Sequence, residues 1–267
     1  MKDDHVLGVV LERVSEYVPL SSIMIVGATC RDIHQESFRS TEPSRTTDDI
    51  DLALAVEGWD EVRILQREFP SRSRAWQQIE VDGIAVDIVP FGSIESPPGE
   101  VLVGDGLVLN VSGFREVFER AETHELSSGM KFKLPSVAGL AALKLHAWLD
   151  RYRVGNYKDA QDLGLILAWY AESDEGWLFD RFFEHKEAHE ADILEVMAAF
   201  LLGIDVAEAL GEAESASLAG RFRQESASGM ELFAEKLVSP GEHIVPMKIR
   251  AAQVQALLGG LVCVEKH

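Results

Sequence analysis

The spacing of apolar residues in the first half of the chain switches several times between a helical period and a strand-like one. Val6, Val9, Val10, Val14 and Tyr17 recur at helical spacing and predict an amphipathic helix over residues 5–18. Ser22 to Val26 is a short apolar run stopped by Gly27, the pattern of a buried strand, and a helix is expected to begin at Thr29 and run through His34. Arg39 to Thr46 is polar, contains Pro43 and reads as a loop. Asp49 to Val56 reads as a strand and Trp59 to Phe69 as a helix. Trp76 to Val81 and Ile84 to Val89 flank Asp82-Gly83, a strong hairpin signal. A second hairpin or loop is expected over Val101 to Phe114, around Gly104-Asp105-Gly106, and a strand pair over His124 to Lys133. From Val137 the pattern turns helical. The small-residue-rich stretch from Ser215 has no clear period, and Val254 to Val264 reads as a last helix containing Gly259-Gly260.

The fold class that follows is α/β (α+β), with an α/β domain over residues 1–135 and a helical domain over 136–267. No Gly/Ser-rich linker lies at the boundary near Pro135, so the two are expected to pack together. Nearly half of the 267 residues are hydrophobic, enough for a substantial core. No apolar run approaches the roughly 20 residues of a membrane span, and Met-Lys-Asp-Asp-His is not the start of a secretory signal. A cytoplasmic protein with no membrane partner is expected. Cys30 and Cys263 match no zinc spacing and predict reduced thiols.

Charge narrows the function classes. The net charge of −20 argues against non-specific adhesion to nucleic acid. Residues 172–214 hold 13 Asp and Glu against Arg181 and Lys186, the pattern of a solvated helical face. His185 and His189 are an i, i+4 pair without the HExxH order and read as part of that face.

Against this background the Asp49 strand is anomalous. Asp48, Asp49 and Asp51 are like charges at the head of a segment that otherwise wants burial, and they repel more strongly as water is withdrawn. A hard divalent cation such as Mg²⁺ or Mn²⁺ cancels that repulsion. On a strand Asp49 and Asp51 point to one side and Ile50 to the other. Asp87 interrupts a second apolar strand, Ile84-Ala-Val-Asp-Ile-Val, and would complete a three-carboxylate metal set if the two strands were neighbours. Gly27-Ala28-Thr29-Cys30-Arg31 follows a strand and opens a helix, where free N–H groups attract phosphate. It is neither a P-loop nor a GxGxxG fingerprint.

Gly27-Ala-Thr-x-Arg-Asp, Thr47-x-Asp49-Ile-Asp51 and Asp87-Ile-x-Pro-Phe-Gly together resemble the nucleotidyltransferase superfamily typified by DNA polymerase β. Lys144-Leu-His-Ala-Trp-Leu-Asp-Arg151, followed by Lys158-Asp-Ala-Gln-Asp162-Leu, looks like the signature of the AbiEii/MenT-like toxin nucleotidyltransferases. The resemblance covers about residues 20–170. It implies a mixed sheet flanked by helices and transfer of a nucleoside monophosphate from an NTP to a hydroxyl. The acceptor would be an RNA end such as tRNA, a protein side chain, or a small molecule such as an antibiotic. It also implies Asp49, Asp51 and Asp87 as metal ligands and catalytic acids, joined by Lys144 and Asp159, with Gly27, Ala28, Thr29, Arg31, Arg151, Lys158 and Asp162 on the nucleotide. An antitoxin partner would follow from the toxin resemblance. Ala28 stands where the superfamily usually has Gly or Ser, so a phosphate-binding hydroxyl would come from Thr29. Two readings of the helical half stay open. Lys144, Trp148 and Arg151 share one helix face and can present two cations to a triphosphate, or Lys144 and Arg151 can simply pair with Asp159 and Asp162. His146 and Trp148 read as core. A non-catalytic binding module that acts through its acidic helices is the alternative to the enzyme.

Overall fold

A computed structural model describes residues 4–38, 49–104, 106–185, 191–238 and 245–263. Thr47, Asp48, Arg39, Arg45 and His189 lie outside the described residues. The chain forms two compact units, Met1–Leu140 and Ala141–His267.

The first unit is built on a six-stranded sheet. Helix α1 (Asp4–Ser15) buries Leu7, Val10, Leu11 and Val14, so its apolar stripe is rotated from the one read in the sequence and leaves Val6 and Val9 half-buried. Strand β1 (Ile23–Val26) is fully buried, as a continuous apolar run requires, and helix α2 (Gly27–Phe38) starts on the next residue. Strand β2 (Asp49–Val56) leads to helix α3 (Trp59–Glu68), where Glu61 accepts hydrogen bonds from the N–H groups of Glu57 and Gly58 and caps the helix start. Strands β3 (Gln78–Val81) and β4 (Ile84–Gly92) meet at Asp82-Gly83, both in the left-handed region, which gives the expected hairpin.

Strands β5 (Glu100–Val103) and β6 (Leu107–Asn110) form a separate two-stranded sheet, and helix α4 (Phe114–Arg120) follows. Strands β7 (Glu122–Glu125) and β8 (Lys131–Leu134) complete the large sheet in the order β3-β4-β2-β1-β8-β7. The β2–β4 and β1–β8 pairs are parallel and the others antiparallel, so the sheet is mixed.

Helix α5 (Val137–Arg151) begins in the first unit and ends in the second. The first turn of α5 packs on α4: a Cβ on Gly139 would sit 3.1 Å from Val117. The second unit continues with α6 (Lys158–Ala171), α7 (Glu175–Glu184), α8 (Leu194–Arg223), α9 (Ala227–Lys236) and α10 (Met247–Val262). The segment without a clear period lies inside α8, which is broken at Gly211, where φ is 76° and ψ 169°. Gly203 of α8 and Gly260 of α10 serve packing. A Cβ on Gly203 would come within 2.1 Å of the Leu257 carbonyl, and one on Gly260 within 2.1 Å of the Phe200 carbonyl. Backbone therefore meets backbone where α8 crosses α10, and only glycine fits there. Among the described residues no helix is long and apolar enough to cross a membrane, and Cys30 and Cys263 form no disulfide.

Candidate active site

Strand β2 alternates. Ile50 and Leu52 are fully buried, while Asp49 and Asp51 are half-buried on the opposite side. In the parallel β2–β4 ladder Asp51 stands opposite Asp87, and in the antiparallel β1–β2 ladder it stands opposite Val26. Residues in register project to the same face, so Asp49, Asp51 and Asp87 share one face of the sheet on adjacent strands. Among the described residues no three ligand side chains are gathered closely enough to hold an ion. The carboxylates stand side by side, as three mutually repelling charges should.

Gly27 is part of this site. Its φ of 62° lies in the left-handed region, and a Cβ there would fall 1.9 Å from Asp51 Oδ2. The Ala28 N–H, at the start of α2, points at the same oxygen from 3.4 Å. The helix start thus faces a carboxylate of the site. Thr29 is buried, and Arg31, only 1% exposed, is turned inward, where its Nε and Nη2 donate to Asp32 Oδ1 at 2.8 and 2.6 Å.

Gln78 was not anticipated. It lies opposite Asp87 in the β3–β4 hairpin, and its amide donates to Asp87 Oδ1 at 3.2 Å. Counting outward in pairs from Asp82-Gly83 would have found it. Burial pushes the Asp87 carboxyl above its ordinary value of 3.8, and the charge of Asp49 pushes the same way, against the opposing pull of the Gln78 amide.

The helical-half residues form their own cluster. Lys144 Nζ lies 3.2 Å from Asp159 Oδ1 and 2.7 Å from Asp162 Oδ2, and Arg151 Nη1 lies 3.6 Å from Asp159 Oδ2. Asp159 and Asp162 are 2% and 3% exposed, while Arg151 reaches solvent and Lys158 is exposed at the start of α6. Here the pairing expected of Lys144 and Arg151 is present. His146 is buried, accepts from Arg221 Nη1 at Nδ1 (3.1 Å) and turns Nε2 toward Glu214 Oε1 at 3.3 Å. Burial, together with the charge of Arg221, lowers its pKa to about 3, so it is a neutral core residue. Trp148 is also core and stacks on Tyr152.

A mixed sheet bearing two carboxylates on one strand and a third in register on the next is the framework of a nucleotidyltransferase. Residues 37–243 match the family described as nucleotidyl transferase AbiEii toxin, type IV TA system, and the chain belongs to that family. The matched span includes Asp49, Asp51, Asp87 and the Lys144 cluster but begins after Gly27. No curated protein matches the chain.

Proposed function

We propose that the protein transfers a nucleoside monophosphate from an NTP to a hydroxyl on an RNA end or a protein side chain, as the toxin of a toxin–antitoxin pair. The observation that carries the reading is the register of Asp51 against Asp87, with Asp49 on the same face. The chemistry of the donors suits a hard divalent cation, which would draw them together: three half-buried carboxylates, with the nearest backbone kept free of a side chain by Gly27. Asp49, Asp51 and Asp87 would hold Mg²⁺ or Mn²⁺. Such an ion, when bound, screens the triphosphate and the departing pyrophosphate.

The chain's own groups do the rest. The acceptor oxygen forms a bond to the α-phosphorus as the bond to pyrophosphate breaks, and the hydroxyl proton passes to the Asp87 carboxylate. Asp87 suits that role by position, on the strand beside Asp49 and Asp51 and on the same face. Gln78 orients it through the 3.2 Å hydrogen bond. Lys144 is engaged by two buried carboxylates, so this reading gives it the task of linking α5 to α6. Arg31 is likewise a structural cation, held by Asp32.

The reading is tested by incubating the purified protein with each labelled NTP in turn, total RNA or lysate, and Mg²⁺, Mn²⁺ or EDTA. Label should enter one macromolecular pool with either metal and none in EDTA. Labelling that persists in EDTA, or absence of label from every pool, would refute it.

A further inference from the structure

A second constellation lies on α3 and the loop that follows it. Trp59, at the start of α3, meets Trp76 edge-on with ring centroids 6.4 Å apart. The Gln66 side-chain amide donates to the Trp76 carbonyl at 2.8 Å and pins the loop to the helix. Both indoles are half-buried, and with Arg63 and with Leu102 and Val103 of β5 they line a cleft of about 430 Å³. The chain between the tryptophans carries its acids, Asp60, Glu61 and Glu68, on α3, while its last turn into Trp76 carries only cations. Residues 70–76 carry Arg72 and Arg74 and no acid, in a protein of net charge −20. Arg63, Arg67, Arg72 and Arg74 are all exposed. Arg63 pairs with Asp60 and Arg67 with Glu68, while Arg72 and Arg74 lie on the loop leading to Trp76.

An apolar cleft with two indole faces suits a planar aromatic group, and the local surplus of guanidinium groups suits an anion. A nucleotide strand combines the two, its bases stacking on aromatic rings while its phosphates meet arginine. We infer that the Trp59–Trp76 cleft holds unpaired nucleotides of a nucleic-acid strand. Its place in the fold gives the strand a purpose. Trp76 is two residues before Gln78, so their Cα atoms lie within about 7.6 Å of each other, and Gln78 is the residue that holds Asp87. A strand seated on the tryptophans lies at the β3 edge of the sheet, one strand away from Asp87, and serves as the acceptor, a role that rests on the nucleotidyl-transfer reading.

Binding is measured apart from transfer, with the full chain, EDTA and no NTP. Fluorescence anisotropy compares labelled oligo(U), oligo(dT) of equal length and a blunt RNA duplex, with tryptophan quenching read in parallel. The single strands should bind better than the duplex, quench tryptophan and weaken as salt rises; the stronger of the two names the strand chemistry. The double substitution Trp59→Leu/Trp76→Leu should weaken binding about tenfold or more. Arg72→Ser/Arg74→Ser, on an exposed loop and so compatible with an intact fold, should weaken binding of every sequence alike and lower the salt slope by about one to two. No strand binding by wild type, equal binding of the duplex, or unchanged binding by both variants overturns the inference; the first result would leave the cleft to a protein partner. Strand binding without transfer would refute the catalytic reading and leave this site standing, and transfer without strand binding would do the reverse.

Discussion

Replacing Gly27 with alanine tests how tightly the carboxylate site is built. Two costs are separable. The first is conformational: φ is 62°, where a residue with a Cβ is disfavoured by roughly 1–2 kcal/mol. The second is steric. The new Cβ would lie 1.9 Å from Asp51 Oδ2, 2.5 Å from its Cγ and 2.9 Å from its Cβ. Rotation about χ1 moves the carboxylate but leaves the Asp51 Cβ in place, so β1 and β2 must shift, at an overpacking cost of about 1–3 kcal/mol. Gly27→Ala should therefore destabilise the protein by about 2–5 kcal/mol in denaturant melts followed by tryptophan fluorescence. In an Asp51→Gly background all three contacts vanish. The cost of Gly27→Ala should then fall toward the conformational part, giving a coupling energy of about 1–3 kcal/mol. An equal cost in both backgrounds would show that Asp51 does not lie against Gly27 and would refute the geometry.

Lys144→Ala leaves Asp159 and Asp162 buried without their shared cation and should lower stability by about 3–5 kcal/mol; a loss below about 0.5 kcal/mol in a melt would refute the pairing. His146 takes up a proton near its ordinary value of 6.5 when unfolded but only at about 3 when folded, so it should remove stability as pH falls from 6.5 toward 3. His146→Gln should flatten that part of the pH–stability curve, and an imidazole seen by NMR to titrate near pH 6 in the folded protein would contradict it. Asp87 has the opposite sign. Its folded pKa is raised above 3.8, so the native state holds the proton longer than the unfolded chain, and stability should decline as pH rises from about 3.8 through the folded value. Asp87→Asn should lack that decline, and Gln78→Leu should raise the Asp87 pKa further by NMR titration.

Much of this was legible from local chemistry. The hairpin at Asp82-Gly83 follows from two residues that tolerate the left-handed region, and the one-sided placement of Asp49 and Asp51 follows from strand alternation. What the sequence lacked was pairing information. Nothing local says that β2 lies beside β4, or that Asp51 rather than Asp49 stands opposite Asp87. For the same reason the inward turn of Arg31 toward Asp32 was not legible. Its neighbour Asp32 and a helix face buried through Gln35 draw it inward, and a helix start shows no such direction until its packing is known. The region from Ser215 was unreadable because it follows a break at Gly211, which resets the helical phase, and its small residues leave few large apolar side chains to mark a period.

Nucleotide transfer by the three carboxylate-to-amide variants is the most direct test of the carboxylate site. Asp49→Asn, Asp51→Asn and Asp87→Asn each keep shape while removing one charge from a repelling set, so in EDTA each should melt at or above the wild-type temperature. With labelled NTP, Mg²⁺ and the acceptor pool, each should lose on the order of a thousandfold in transfer rate, the scale of removing an electrostatic element of a phosphoryl-transfer site. Transfer near the wild-type rate by a folded Asp51→Asn protein would contradict the central claim, because Asp51 is the residue that joins Gly27, the start of α2 and Asp87 into one site.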